Sequence, residues 1–113
     1  MIEEYRFGIM RIAGRTYSSD LKIIKGRVVP EWWRGRGHFV DVMDVEDILA
    51  AEPEALVLGC GASNLVRVSE PLKKRLARIG AELHTQPTAR AVETFNRLFA
   101  QGKNVAGAFH LGC

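Results

Sequence analysis

The chain has 113 residues, enough for one domain with its own apolar core, and its hydrophobic share of 47% and charged share of 26% are those of an ordinary globular protein. The net charge of +3 is modest and does not favour a nucleic-acid partner, which requires a continuous basic face. No apolar run approaches the ~20 residues of a membrane-spanning helix, and Glu3 and Glu4 stand where a signal or transit peptide would be basic. We therefore expect a single domain over residues 1–113, in the cytoplasm and without membrane contact.

The first third of the chain predicts an antiparallel meander of three strands. Tyr5, Phe7 and Ile9 alternate with their neighbours over positions 5–10, a period of two that indicates a strand. A second strand is predicted around residues 21–23 and a third over residues 28–33, with glycine turns at 13–15 and 25–26. Pro30 removes one donor from the ladder, so the third strand is expected to lie at an edge or to end there.

From residue 44 onwards the pattern predicts helices that alternate with short apolar strands. Three helices are predicted: a short one capped by Asp44, one from Ser69 to Gly80, and one from Thr88 to Gly102. The strands between and after them are predicted at residues 55–58, 81–85 and 105–110. Because helical crossovers join parallel strands, we predict an α/β fold: a mixed, mostly parallel central sheet flanked by helices, with the antiparallel N-terminal meander.

The glycine-rich stretch after the strand at 55–58 has three interpretations: a phosphate-binding loop, the seat of a reactive cysteine, or a tight turn. Gly59 and Gly61 match the first two glycines of a dinucleotide-binding loop, but the third position is Asn64 and the residues after it look extended. Because no helix begins after this loop, a bound anion would not be stabilised by the N–H groups and dipole of a helix N-terminus. This favours the tight turn over the phosphate-binding loop. Exposed N–H groups around Gly61 and Ser63 would still suit a small anion.

The second interpretation makes Cys60 a nucleophile, activated by His110, Arg34 or Arg36. If strands 55–58 and 105–109 run parallel and adjacent, their carboxyl ends share one rim, where open α/β sheets bind ligands. The candidate rim for a ligand or anion then comprises Gly59, Cys60, Gly61, Ser63, His110 and Cys113. The alternative is that both cysteines are small apolar fillers. We expect no metal site and no cofactor, because His110 and Cys113 supply only two ligands.

A tryptophan–arginine segment, EWWRGRGHF at residues 31–39, has two interpretations. Arginines separated by glycines and interleaved with aromatic residues resemble a tract that stacks on bases and binds phosphates. The same composition is typical of an interface hot spot, which we favour. Adjacent tryptophans in a strand face opposite sides, so one should fill the core while the other is exposed or covered by a partner. The candidate partner surface is Trp32, Trp33, Arg34 and Arg36.

Three landmarks together resemble the adipogenesis-associated Mth938-domain family: LVLGCGAS at residues 56–63, ETFNRLFAQGKNVAGAFHLGC at residues 93–113, and the tryptophan–arginine segment. The resemblance implies a small single α/β domain with a mixed central sheet, flanking helices and additional strands. It also implies a largely unassigned activity; eukaryotic relatives include a mitochondrial assembly factor for respiratory complex I and a protein linked to fat-cell differentiation. Gly59, Gly61 and Ser63, with His110 and Cys113, correspond to landmarks of the family.

The residues and the resemblance together predict a non-catalytic binding or assembly-type domain that acts through protein contacts. Its partner is another protein, and a homo-oligomer is one form such contacts can take. The alternative is an enzyme or binding protein for a small ligand or anion, which uses the rim formed by the Gly59–Ser63 loop and His110.

Overall fold

Ten strands in three sheets surround two apolar cores in a computed structural model, which describes residues 1–113. The strands are β1 (Ile2–Arg6), β2 (Ile9–Ile12), β3 (Arg15–Tyr17), β4 (Leu21–Ile24), β5 (Arg27–Val29), β6 (Phe39–Val40), β7 (Ala55–Cys60), β8 (Arg67–Val68), β9 (Glu82–Gln86) and β10 (Val105–His110). A 3₁₀ turn (Val42–Val45) leads into α1 (Glu46–Ala50), and the longer helices are α2 (Glu70–Arg78) and α3 (Thr88–Ala100).

The central sheet has five strands in the order β5-β4-β10-β7-β9. Strands β10, β7 and β9 are parallel, whereas β4 pairs antiparallel with both β10 and β5. The predicted α/β fold with a mixed sheet and antiparallel N-terminal strands is therefore confirmed. The central sheet is not mostly parallel as expected, because it has two parallel and two antiparallel pairings. Strands β1, β2 and β3 form a separate antiparallel sheet, and β6 pairs with β8.

The N-terminal region differs from the prediction in three places. The predicted meander is divided between two sheets, because β1 and β2 pair with the additional strand β3, whereas β4 and β5 belong to the central sheet. The predicted single strand over residues 5–10 is wrong, because Arg6 pairs with Ile9 across a tight turn at Phe7 and Gly8. Gly8 adopts a φ of +78°, which glycine tolerates without cost, and the period of two continues through the turn and hides it. The third predicted strand ends at Val29, directly before Pro30, so the tryptophan segment belongs to a loop.

Two of the three predicted helix caps are wrong, and both side chains have other partners. Ser69 does cap α2, since its Oγ accepts the Leu72 N–H at 3.1 Å. Asp41, not Asp44, starts the 3₁₀ turn, and Asp44 reaches back to accept the Asp41 N–H at 2.8 Å. Thr88 is buried inside the first turn of α3, where its hydroxyl donates to the carbonyl of a β10 residue at 2.6 Å.

Strands β7 and β10 are buried on both faces, which separates the two apolar cores. Leu56, Leu58 and Ala108 contribute to the core beneath α1 and α2, whereas Val57 and Phe109 contribute to the core beneath α3 and the N-terminal sheet. Strands buried on both faces read as continuous apolar runs, as residues 55–58 do. Because β7 and β10 are adjacent and parallel, their carboxyl ends lie next to each other at one edge of the molecule.

The ring of Phe109 fits only because two neighbouring strand positions have no side chain. A Cβ built on Gly107 would lie 2.5 Å from Cε2 of Phe109 and 3.1 Å from Cδ1 of Phe95. A Cβ on Gly59, which is opposite Phe109 on β7, would lie 2.9 Å from Cδ1 of the same ring. Both glycines are therefore required by packing, even though neither has a left-handed φ.

We predict that Gly107→Ala lowers the free energy of unfolding by about 1–3 kcal/mol, because the added methyl group overpacks the core around Phe109. Urea unfolding measures the effect. Gly37→Ala is the matched control: a Cβ there meets no atom within 4 Å, so the change should stay below about 0.5 kcal/mol. Equal stability of the two variants would contradict the packing argument.

Candidate functional site

The carboxyl ends of β7 and β10 bring together residues that are far apart in the sequence. His110 pairs with Cys60 in the parallel register of these strands, which confirms the predicted side-by-side arrangement. Leu21 pairs with Phe109 on the other side of β10, so Asp20 is placed beside His110. Asp20, His110 and Cys60 therefore follow one another across three adjacent strands.

Asp20, Arg34 and His110 form a largely buried cluster at this edge, which we call the Asp20 cluster. Oδ2 of Asp20 accepts hydrogen bonds from Nδ1 of His110 at 2.7 Å and from Nη2 of Arg34 at 2.8 Å. Its Oδ1 accepts the backbone N–H of Leu111 at 2.8 Å. The side chain of Asp20 is 15% exposed, that of Arg34 5% and that of His110 16%. The ion pair between Asp20 and Arg34 is therefore held mostly out of water.

Two polar atoms of the Asp20 cluster have no partner. Nδ1 of His110 lies 2.7 Å from the Asp20 carboxylate and donates its hydrogen to it, so Nε2 is the ring nitrogen that is left over. That Nε2 is buried and makes no hydrogen bond, and neither does the buried Nη1 of Arg34. The exposed His38 ring lies against His110 edge to face, with 5.3 Å between ring centroids.

The carboxyl group of Asp20 is held in its ionised form. Burial alone raises its pKa, but hydrogen bonds from His110, the Leu111 amide and Arg34, together with the charge of His110, outweigh burial. The pKa of Asp20 therefore lies below its usual value of 3.8. Stability from this group is present above that value and is lost as the pH falls through the lowered pKa.

The loop over residues 30–38 has no regular secondary structure, yet several hydrogen bonds fix its backbone. The Trp32 N–H donates to the Asp20 carbonyl at 2.8 Å, and the Trp32 Nε1–H donates to the Asp44 carbonyl at 2.8 Å. The Gly35 N–H donates to Oδ1 of Asp44 at 3.2 Å. The Arg34 guanidinium carbon lies 4.5 Å from the centre of the Trp32 ring, a favourable cation–π contact.

These contacts divide the predicted partner surface into buried and exposed residues. Trp32 is 4% exposed and Arg34 is enclosed by the Asp20 cluster, so neither is available to a partner in this arrangement. Trp33 is 75% exposed, and Arg36 is exposed with its guanidinium 5.4 Å from the centre of the Phe39 ring. One tryptophan fills the core and its neighbour faces solvent, as predicted.

The Gly59–Ser63 rim is a packed turn. The Gly61 N–H donates to Oγ1 of Thr88 at 2.9 Å, and the Ala62 N–H donates to the Gly112 carbonyl at 2.8 Å. A Cβ on Gly61, whose φ is +90°, would lie 2.8 Å from the carbonyl oxygen of Cys113. The C-terminal residues therefore cover the turn, and these two N–H groups already have partners within the chain.

The two cysteines of the predicted rim have different environments. Cys60 is 1% exposed, and its Sγ–H donates to the Leu58 carbonyl at 3.7 Å, not to His110. Burial raises the pKa of the Cys60 thiol, and a hydrogen bond from the Gln86 backbone and the charge of Arg67 only partly oppose it. Cys113 is exposed at the chain end. Cys60 is thus close to His110 along the sheet, but its thiol is neither exposed nor acidified.

Sequence reasoning missed Asp20 and misread Thr88. Asp20 directly precedes an apolar strand, the position of a side chain at a sheet edge, but its partners lie 14 and 90 residues away. Thr88 has the sequence signature of a cap, and nothing local indicates that it bonds to His110 instead. The contacts of Asp20 and of Thr88 with His110 could be expected only once the strand order β4-β10-β7 was known.

Comparison with known proteins places the chain in a family. Residues 2–110 match a family model described as a protein of unknown function (DUF498/DUF598). The chain belongs to this family. Its fold is also that of a protein from Bordetella pertussis described as a Mth938-like domain, which is 19% identical, with a TM-score of 0.79 over 97% of this chain and 84% of that chain. The predicted membership of the Mth938-domain family is confirmed.

Two further solved structures have the same fold as this chain. A conserved hypothetical protein from Pyrococcus horikoshii OT3 is 25% identical, with a TM-score of 0.89 over 100% of this chain and 99% of that chain. A protein from Bartonella henselae described as an outer membrane protein is 26% identical, with a TM-score of 0.84 over 99% of this chain and 94% of that chain. In the present chain, no helix combines the length and apolar character needed to cross a bilayer.

We predict that Asp20→Asn lowers the free energy of unfolding by about 3 kcal/mol near neutral pH, because it leaves the buried Arg34 charge uncompensated. The variant should also lose part of the acid sensitivity. In the natural chain, stability should fall as the pH drops below the usual Asp20 pKa of 3.8, and in the variant this fall should be shallower. Urea unfolding over a series of pH values measures both effects. Parallel pH profiles would show that Asp20 does not carry this dependence.

Proposed function

We propose that this protein is a non-catalytic binding or assembly-type domain that acts through protein contacts in the cytoplasm. One observation carries the proposal: a loop without regular secondary structure is held at several points and presents Trp33 with 75% of its surface exposed. An exposed tryptophan on a fixed backbone is an unusual feature for a surface that contacts only water, because large aromatic residues gain free energy when they are buried.

The neighbourhood of Trp33 has the composition of an interface. Two residues further along the chain begins a shallow groove of about 250 Å³, which is lined by Gly35, Arg36, Phe39, Asp41, Met43 and Asp44. The side chain of Met43 is 81% exposed. Tryptophan, arginine, phenylalanine and methionine are enriched in protein interfaces. We therefore call Trp33, Arg36, Phe39 and Met43 the Trp33 surface.

The buried contacts behind the loop strengthen the proposal. Trp32 and Arg34 are used internally, so the loop does not need a partner in order to adopt its shape. A binding surface that is ordered before association loses less conformational entropy on binding. The Asp20 cluster is thus a positioning device for the Trp33 surface, and its residues need not touch the partner.

Site-specific photo-crosslinking tests the proposal even though the partner is unidentified. A photoreactive phenylalanine analogue in place of Trp33 should give discrete protein adducts in cells of the natural host. Phe7 is the matched control position, because it is also aromatic and 63% exposed but lies on the β1–β2 turn. An adduct of twice the chain mass would identify a second copy as the partner.

The same cells expressing Trp33→Ala complete the experiment. With the photoreactive residue placed at Met43, adducts should form in the natural background and should weaken or disappear in Trp33→Ala. Because Trp33 is exposed, its removal should change stability by less than about 0.5 kcal/mol, so lost adducts would reflect lost binding. No adducts from position 33, or the same adducts from position 7, would refute the proposed surface.

The alternative, a small-ligand or anion site at the rim, is favoured by one observation, the unpartnered Nε2 of His110. It predicts that some member of a panel of small acids and anions raises the melting temperature, and that His110→Gln abolishes this rise. His84→Gln is the control, because His84 lies on the edge strand β9 and bonds only to Glu82. A response that is the same in both variants would place the ligand elsewhere.

A further inference from the structure

A second groove lies at the carboxyl ends of the parallel strands, on the β9 side of the sheet. It has a volume of about 240 Å³, and we call it the Cys60 groove; its lining includes Cys60, Val66, Arg67, Lys73 and Thr85. Cys60 ends β7 and Thr85 is the penultimate residue of β9, two adjacent parallel strands. Ligands of open α/β sheets bind in crevices outside such strand ends.

The floor of the Cys60 groove is apolar and closed. Cys60, Val66 and Val68 are 1%, 2% and 9% exposed and belong to the core beneath α2. The hydrogen bond from the Val66 N–H to the Cys60 carbonyl, at 3.2 Å, fixes the distance between the turn and the end of β7. This floor gives the groove a defined base, with room above it for a small molecule.

The wall of the Cys60 groove is positively charged. Nη1 of Arg67 donates to the carbonyls of Asn64 at 2.7 Å and Val66 at 3.1 Å, which holds the guanidinium in place and leaves its other nitrogens free. Lys73, in the first turns of α2, forms only an exposed pair with Glu70 at 3.1 Å, which water screens strongly. The groove therefore offers one positioned guanidinium and one weakly engaged ammonium group.

The charge of Arg67 also affects the Cys60 thiol in the floor of the groove. Arg67 acts electrostatically on the Cys60 thiol, even though burial of that thiol has the larger, opposite effect on its pKa. A guanidinium held by the carbonyls of Asn64 and Val66 is preorganised for a planar or tetrahedral oxyanion, which accepts two of its N–H groups at once.

We propose that the Cys60 groove binds the oxyanion of a small molecule, a phosphate or a carboxylate, through Arg67 and Lys73. The apolar part of the molecule lies on Val66 and Val68, and the hydroxyl of Thr85 provides a further polar contact at the outer rim. This site is separate from the Trp33 surface, so either proposal can fail without the other.

Thermal unfolding at constant ionic strength tests the proposal with inorganic phosphate and, in a separate arm, with acetate. Phosphate, acetate or both should raise the melting temperature until the effect saturates, since a ligand that binds the folded state stabilises it. A rise with one anion alone identifies the group that the groove prefers. Arg67→Gln should weaken the apparent affinity by about tenfold or more, because it removes a charge-assisted hydrogen bond. Lys73→Gln should weaken it less.

Lys74→Gln is the matched control, because Lys74 is an exposed lysine of the same helix that does not line the groove. It should keep the full response. Should Arg67→Gln fail to fold, Lys73→Gln and phosphate-induced shifts of the Asn64 and Thr85 amide resonances still decide the question. The proposal is overturned if neither anion gives a saturable rise, if the groove variants respond like the natural chain, or if His110→Gln alone removes the response.

Discussion

The carboxylate of Asp20 connects three segments that are distant in the sequence. It accepts hydrogen bonds from Arg34 in the loop over residues 30–38, from His110 at the end of β10, and from the Leu111 amide. A charge removed from water is costly unless it is paired and hydrogen-bonded. Here the Asp20 carboxylate and the Arg34 guanidinium pair with each other, and Nη1 of Arg34 is left without a partner. Asp20 is therefore the central member of the cluster: its loss would leave the Arg34 charge buried without compensation.

This constraint explains the order of a loop that has no helix or strand to hold it. The cluster fixes Arg34, the Arg34 guanidinium covers the Trp32 ring, and the Trp32 indole bonds to the Asp44 carbonyl. Each contact restricts the next, so Trp33 has little freedom to turn inward. Order in the interior thus determines what the surface presents.

The carboxyl ends of the parallel strands carry two features with different physical character. The Asp20 cluster on the β4 side of β10 is buried, and residues 110–113 cover the glycine turn at the end of β7. On the β9 side the Cys60 groove remains open, and Arg67 and Lys73 belong to its lining. The difference arises because the C-terminal residues follow β10 and pack against Gly61, but do not extend over β9. The family to which the chain belongs has no assigned function, so each feature suggests its own experiment.

Much of the architecture followed from local patterns, because hydrophobic period, caps and turn residues act over only a few positions. The strand over residues 105–110 and the Ser69 cap were predicted in this way. The parallel pairing of the strands that lead to Cys60 and His110 was a hypothesis about strand order, and the structure confirms it. The hairpin at Gly8 was missed because a two-residue turn preserves the alternation of the strands on either side. The sequence by itself determined the fold class and the segment that bears the exposed tryptophan. Only the tertiary structure decided which tryptophan is exposed and that Asp20 joins Arg34 and His110, because these contacts depend on the lateral order of the strands, which no local pattern encodes.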